Sequence, residues 1–479
     1  MTLRVPSRLP LLAVLLLPAP CASGQGAPGP LAEGRRLLAA GDRAAAQAQF
    51  EEALRVDPSS AEAHDALGFV LGLQGRTADA LAAFEKAIAL EPALFDARYH
   101  LGATLWWTGD TDGALRELQE AVRLRPGHAE ARYYLGLTVK RKGDARAALD
   151  HLRRAVKLAP SLAVAHLHLG VTLQEMGDYE GATAELRTAV RLAPDLVDAR
   201  NSLGLALMQK GEAEEAVATL RALLADHPGH AAARHNLGSA LMQKGDLDGA
   251  VAVYRELLAR GEGTADDHYN LGMALKQKDE FQEAEAELRK AVALDASLPE
   301  PHFTLGVVLW QTGRAEEALR SFEDAIAQNA DYAEAHYMRA TVLKQQGRLD
   351  DAIAGFRDAI RRQPASAEAH LSLGQALQQK RDPAAAASLA EADRLNRKKA
   401  DAQAAAFALS AGRTRLAKGD LPGAIGSFRE AVRLAPENAE AHFQLALALR
   451  KQGARGEARR HFEEAHRLAP WLEPPGPTD

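Results

Sequence analysis

Residues 95–126 read FDARYHLGATLWWTGDTDGALRELQEAVRLRP, two short segments separated by a Gly-Asp pair and closed by a proline. At about 100° per residue, Ala97, Leu101, Thr104 and Leu105 share one largely apolar face, the mark of an amphipathic helix. Gly109-Asp110 stops that first helix, and Pro126 ends a second one by withdrawing a backbone donor. Gly102, Ala114 and Ala121 carry little or no side chain, which lets two helix backbones approach closely. A hairpin this small cannot bury its apolar faces alone; a row of stacked hairpins can.

The chain supplies the row. Leu-Gly recurs every 34 residues at Leu67-Gly68, Leu101-Gly102, Leu135-Gly136, Leu169-Gly170, Leu203-Gly204, Leu237-Gly238, Leu271-Gly272 and Leu305-Gly306. Seven residues after each stands a second glycine, from Gly75 to Gly313, with Asp279 as the exception. Alanine, a bulky apolar residue, alanine and proline then come in fixed order, as in Ala80, Phe84, Ala87 and Pro92. With positions counted from Phe95, the pattern of leucine seventh, glycine eighth, alanine twentieth and twenty-seventh, and proline thirty-second resembles the tetratricopeptide repeat family; Leu118 stands where that family has an aromatic. The resemblance spans residues 27–472 and implies an all-α, right-handed superhelical solenoid of about thirteen 34-residue helix-turn-helix repeats.

Departures from the pattern set the expected organisation. The fourth position, often tryptophan in the family, is His or Arg here: His64, Arg98, Arg132, His166, Arg200, Arg234, His268, His302, His336 and His370. Glu262, Ala296 and Ala330 replace the proline. The repeat beginning at 367 fits only after a one-residue deletion, and RLNRKKADAQ precedes recovery of the register at Gly412. The expected division is a leader over 1–24, an array over 25–399, a kinked irregular junction at 400–404, two further repeats over 405–472 and a disordered tail over 473–479. Arg4 and Arg8 followed by LPLLAVLLLPA and small residues have the order of a secretory signal, so the protein is expected to be exported, periplasmic or extracellular. Pro20 before Cys21 argues against a lipid anchor.

The first helix of each repeat, helix A, has a second apolar face. The fifth position carries Tyr99, Tyr133, Tyr269, Phe303 and Tyr337, and the twelfth carries Trp106 and Trp310, with Trp107 beside it. The resemblance places helix A on the concave side of the superhelix, which makes these rings candidate peptide-binding anchors. The alternative for the fifth and ninth positions is packing against helix A of the next repeat. Lys140, Arg141, Lys276 and Lys344 accompany the rings, pointing to a ligand with apolar side chains and some acidity. Gln243, Gln277 and Gln311 belong to a run of thirteenth-position glutamines able to donate to and accept from an extended backbone. Asn236 and Asn270 at the sixth position resemble two rungs of the asparagine ladder of some family members.

Composition, 47% hydrophobic and 25% charged, is that of a globular protein. The formal charge of −6 becomes −8 if the leader with its two arginines is removed; a mildly acidic chain without basic runs is a poor nucleic-acid binder. No stretch after the leader approaches the roughly 20 apolar residues of a membrane span. Phosphate-loop, zinc-protease and nucleophile-elbow motifs are absent. His227, His230 and His235 have no acidic or cysteine co-ligand tied to them, and repeats fill the chain, leaving no room for a catalytic module. The expectation is a non-enzymatic scaffold without metal or cofactor that binds protein or peptide segments. A scaffold in polysaccharide export or envelope assembly and a regulatory subunit of a separate catalytic chain are the alternatives. Homo-oligomerisation through terminal repeats stays open.

Overall fold

The computed structural model describes residues 29–469 and residue 472. The expected leader, Cys21 and the expected tail lie outside the described residues. Twenty-five α-helices and no strand occur among the described residues, running from α1 (Pro30–Ala39) to α25 (Arg455–Leu468). They pair as hairpins of helix A and helix B, giving an all-α solenoid.

Hairpin three shows how the sequence builds each unit. Its helix A, α5 (Phe95–Thr108), has Asp96 in its first turn, where negative charge meets the positive end of the helix dipole. It stops at Gly109, whose φ of 92° is cheap only without a Cβ. Asp110 then caps helix B, α6 (Thr111–Leu124), its carboxylate accepting from the Gly113 N–H at 2.9 Å. The two helices touch at Gly102, where an added Cβ would fall 2.7 Å from Leu118 Cγ. The bulky side chain at the twenty-fourth position thus lies over the bare backbone at the eighth, and Phe84, Tyr254, Phe322 and Phe428 are fully buried in the same way.

The chain divides into two compact units between Glu262 and Gly263. The first holds α1–α14 and the second α15–α25. Most helices B end on an extended residue, as at Glu91 (φ −135°, ψ 90°). Here α14 (Leu247–Ala259) runs instead through a helical cap at Arg260 into Gly261 at φ 72°. A fresh capping box between Thr264 and Asp267 starts α15 (Ala265–Gln277).

The irregular junction expected at 400–404 is helix. Helix α22 (Ala385–Ala417) runs 33 residues without interruption, serving as helix B of hairpin eleven and helix A of hairpin twelve. The physical reason is the absence of a stop. The segment ADRLNRKKADAQAAA contains neither glycine nor proline, and Arg397 stands where the proline would end the helix.

Candidate functional site

Adjacent helices A are offset by one residue, so a position in one hairpin meets the next-numbered position of the following hairpin. His100 Nδ1 lies 2.8 Å from Asp65 Oδ1, Asn236 donates to Asn201 Oδ1 at 2.9 Å, Gln243 to the Met208 carbonyl at 2.9 Å, and the Trp310 indole to Gln345 Oε1 at 2.8 Å. Each pair is 35 residues apart. These side chains knit hairpins together.

Several of the expected binding residues are therefore core. Tyr99, at 4% exposure, Tyr133 at 7% and Trp106 at 8% are buried between hairpins. Trp106 packs on Trp107 at 5.1 Å and on Tyr134 at 5.7 Å, and the Arg141 guanidinium sits 4.4 Å over its ring while donating to its carbonyl at 2.6 Å. Trp107 is half-buried on the flank of this nest. Lys140 pairs with Glu175 at 2.9 Å, and Asn236 is buried. The correction has one cause: the face of helix A that points away from its own helix B is covered by the next helix A, which is the packing alternative. The Tyr99 hydroxyl and Trp106 N–H are buried without a hydrogen-bond partner among the described residues, and burial pushes the Tyr99 and Tyr133 phenols up.

In the second unit the corresponding side chains stay accessible. Tyr269, Phe303 and Tyr337 are half-buried at the fifth positions of α15, α17 (Pro299–Gln311) and α19 (Ala333–Gln345), three consecutive helices A in contact. Lys276, Trp310 and Lys344 are half-buried at the twelfth positions, and Asn270 at a sixth. Gln277 and Gln311 are exposed, as is Gln243 in the first unit. Burial pulls both lysines down, and among the described residues neither pairs with a carboxylate; Lys344 donates to Gln375 Oε1 at 2.7 Å. The face is thus ring-rich and cationic, with amides along its edge.

The fourth-position histidines and arginines have a role that sequence reading missed. Most of them hook the carbonyl six residues earlier, in the loop that enters the hairpin: Arg98 to Pro92 at 2.7 Å, His166 to Pro160 at 3.0 Å, His302 to Ala296 at 3.0 Å and His442 to Pro436 at 3.0 Å. Arg200 and His268 instead reach an acid, Asp226 and Glu287, each at 2.6 Å. Arg98 and His166 also reach a helix-B acid, Glu117 and Glu185, each at 2.6 Å. A donor at the fourth position six residues after the proline was the available signal.

Histidine burial also makes stability depend on pH. Burial, helped by the charge of Lys140, lowers His168 to about 4, and burial likewise lowers His128, His151 and His230 in the first unit. His100 is opposed: burial pulls it down, but the charge and hydrogen bond of Asp65 together with the charge of Asp96 raise it. A lowered histidine stays neutral in the folded chain while the unfolded chain takes the proton near pH 6.5, so its contribution is full above that pH and declines toward about pH 4. His100 contributes in the reverse direction, adding stability below pH 6.5 that is lost as pH rises through its higher folded value. His168 alone is expected to cost the first unit about 1 kcal/mol between pH 7.5 and 5.5. Urea midpoints at the two pH values measure it, and His168→Phe should narrow the difference; a His168→Phe chain that keeps the parent's full pH difference would show that the imidazole is not desolvated.

Repeated A/B hairpins, joined by a one-residue offset between neighbouring helices A, define a helical-repeat solenoid. Comparison with known proteins gives the family. The tetratricopeptide repeat model matches residues 31–94, 167–231, 206–265, 235–299, 303–358 and 337–405, and related repeat models match 73–136, 412–453 and 439–470. The chain belongs to the tetratricopeptide repeat family. No curated protein matches it. Among solved structures, "Crystal structure of MamA" is 28% identical over 34% of this chain and 96% of its own, with a TM-score of 0.33. "YrrB: a TPR protein with an unusual peptide-binding site" is 23% identical over 39% and 96%, at 0.35. The "APC/C hetero-tetramer Cut9-Hcn1" is 16% identical over 91% and 92%, at 0.37. Among the described residues no cluster of three His, Cys, Asp or Glu could hold a metal, and no helix is long and apolar enough to cross a membrane.

Proposed function

We propose that this chain is a non-enzymatic scaffold, exported by its leader, that binds peptide segments across α15, α17 and α19. The observation that supports this best is the pair of half-buried lysines, Lys276 and Lys344, without carboxylate partners on either side of Trp310. A partly desolvated cation gains more from an incoming carboxylate than a fully hydrated one. Tyr269, Phe303 and Tyr337 offer ring surface to apolar side chains, and Gln277 and Gln311 can meet a peptide backbone. The ligand is therefore a segment that alternates apolar and acidic residues.

Panning a random peptide library against the protein should enrich such segments. Lys276→Glu with Lys344→Glu should then weaken the enriched peptides about tenfold or more, with helicity unchanged. Peptides that bind both proteins equally would place recognition elsewhere and end this reading.

A further inference from the structure

The third position of helix A is a closed slot in the repeat. Ala63, Ala97, Ala131, Ala165, Ala199, Ala233, Ala335 and Ala441 are all 0% exposed there. In hairpin twelve, counted from its Gly412, the third position is Phe407, and it is 78% exposed. The difference comes from α22. Everywhere else in the second unit a helix B folds back antiparallel against the next helix A; in α22 those two elements are collinear and cannot touch. Hairpin eleven thus keeps an uncovered trailing face, with Leu371 of α21 (Ala367–Gln379) 40% exposed, and hairpin twelve keeps an uncovered leading face around Phe407. A phenylalanine in a slot built for alanine also keeps the two hairpins of one chain from closing on each other in the usual stack.

We propose that these faces are covered by a second copy of this chain, α22 lying antiparallel against α22 of that copy about a two-fold axis near Ala400. The repeat itself identifies the occupant. The two uncovered faces are a helix-B face and a helix-A face, the surfaces that meet at the other junctions, and α22 carries both, one in each half. An antiparallel pair covers both at once and twice over, as an isologous contact requires. Phe407 then lies alongside the exposed Asp393–Asn396 turn of the second copy, over the stems of these side chains, and Ala400 and Ala404, exposed on the same side of the helix, let the backbones approach. Charge agrees. Arg397 and Asp401 are one turn apart on one flank, and neither has an ion pair among the described residues; Arg397 reaches only the Asp393 carbonyl, at 3.3 Å. An antiparallel two-fold brings Arg397 of each copy to Asp401 of the other.

Sedimentation of the full chain across a range of concentrations should show a species of twice the monomer mass. Phe407→Glu should leave only monomer with helical circular dichroism unchanged, since so exposed a side chain has little packing within its own chain to lose. Arg397→Asp alone should weaken the dimer about tenfold, and adding Asp401→Arg should restore it. A chain that is monomeric at every concentration, or a dimer that Phe407→Glu leaves intact, overturns the proposal; neither result bears on peptide binding by α15, α17 and α19.

Discussion

Trp106→Ala is expected to destabilise the first unit by about 3–5 kcal/mol, the cost of deleting a large buried aromatic. A ring lining an open face would cost almost nothing on removal, so the measurement separates the two arrangements. In the structure the indole is enclosed by Trp107 and Tyr134 and roofed by Arg141 at 4.4 Å, and truncation leaves that guanidinium over a void. Trp106→Phe is the control. It keeps most of the ring and removes an N–H that is buried without a partner, a group that costs about 1–3 kcal/mol to desolvate. Its stability should therefore lie far closer to the parent than that of Trp106→Ala. Chemical denaturation monitored by tryptophan-independent far-ultraviolet dichroism reads both, and an unchanged midpoint for Trp106→Ala would return this ring to the binding surface.

Phe322→Ala is expected to cost the second unit about 3–5 kcal/mol. Phe322 is fully buried, and its ring lies against the backbone of Gly306, where an added Cβ would stand 2.6 Å from it. The neighbouring Phe303 ring, centred 5.8 Å away, belongs to the proposed peptide face, so the cavity opens directly beneath that face. Long repeat arrays need not unfold in one step. The expected signature is thus an early transition confined to the second unit, seen as lost amide protection in α17 and α18 (Ala315–Gln328) while the first unit holds. Uniform loss across both units would mean that the array unfolds as one block.

Local rules were legible because they are enforced within a few residues. Gly109 at positive φ, the Asp110 cap and the Gly102–Leu118 contact each arise from residues inside one hairpin. The continuous α22 escaped notice because a lost repeat register suggests a break in structure, although RLNRKKADAQ contains nothing that stops a helix. The division after Glu262 was missed for the opposite reason: its missing proline was visible, but so were those at Ala296 and Ala330, where no division occurs. The helical cap at Arg260, Gly261 turning the chain at φ 72° and the Thr264–Asp267 capping box distinguish the first of these.

The candidate site was half legible. Periodicity put Tyr99 and Tyr269 at the same position of the same helix, yet one is buried and the other half-buried. The difference lies in the side chains that the next hairpin brings opposite each ring. His128 and Tyr134 close over Tyr99, whose ring centroid is 5.0 Å from His128 and 6.2 Å from Tyr134. Tyr269 instead meets Thr304, a smaller side chain, and stays half-buried.

By itself the sequence determined the helices, their stops and the stacking of hairpins, because a 34-residue period is a covalent fact and each stop acts on its own backbone. Only the tertiary structure decided which ring faces solvent, since that depends on the offset between neighbouring helices and on the side chain brought opposite. The same holds for Phe407: its place in the repeat is written in the chain, but its exposure comes from a helix that never turns back.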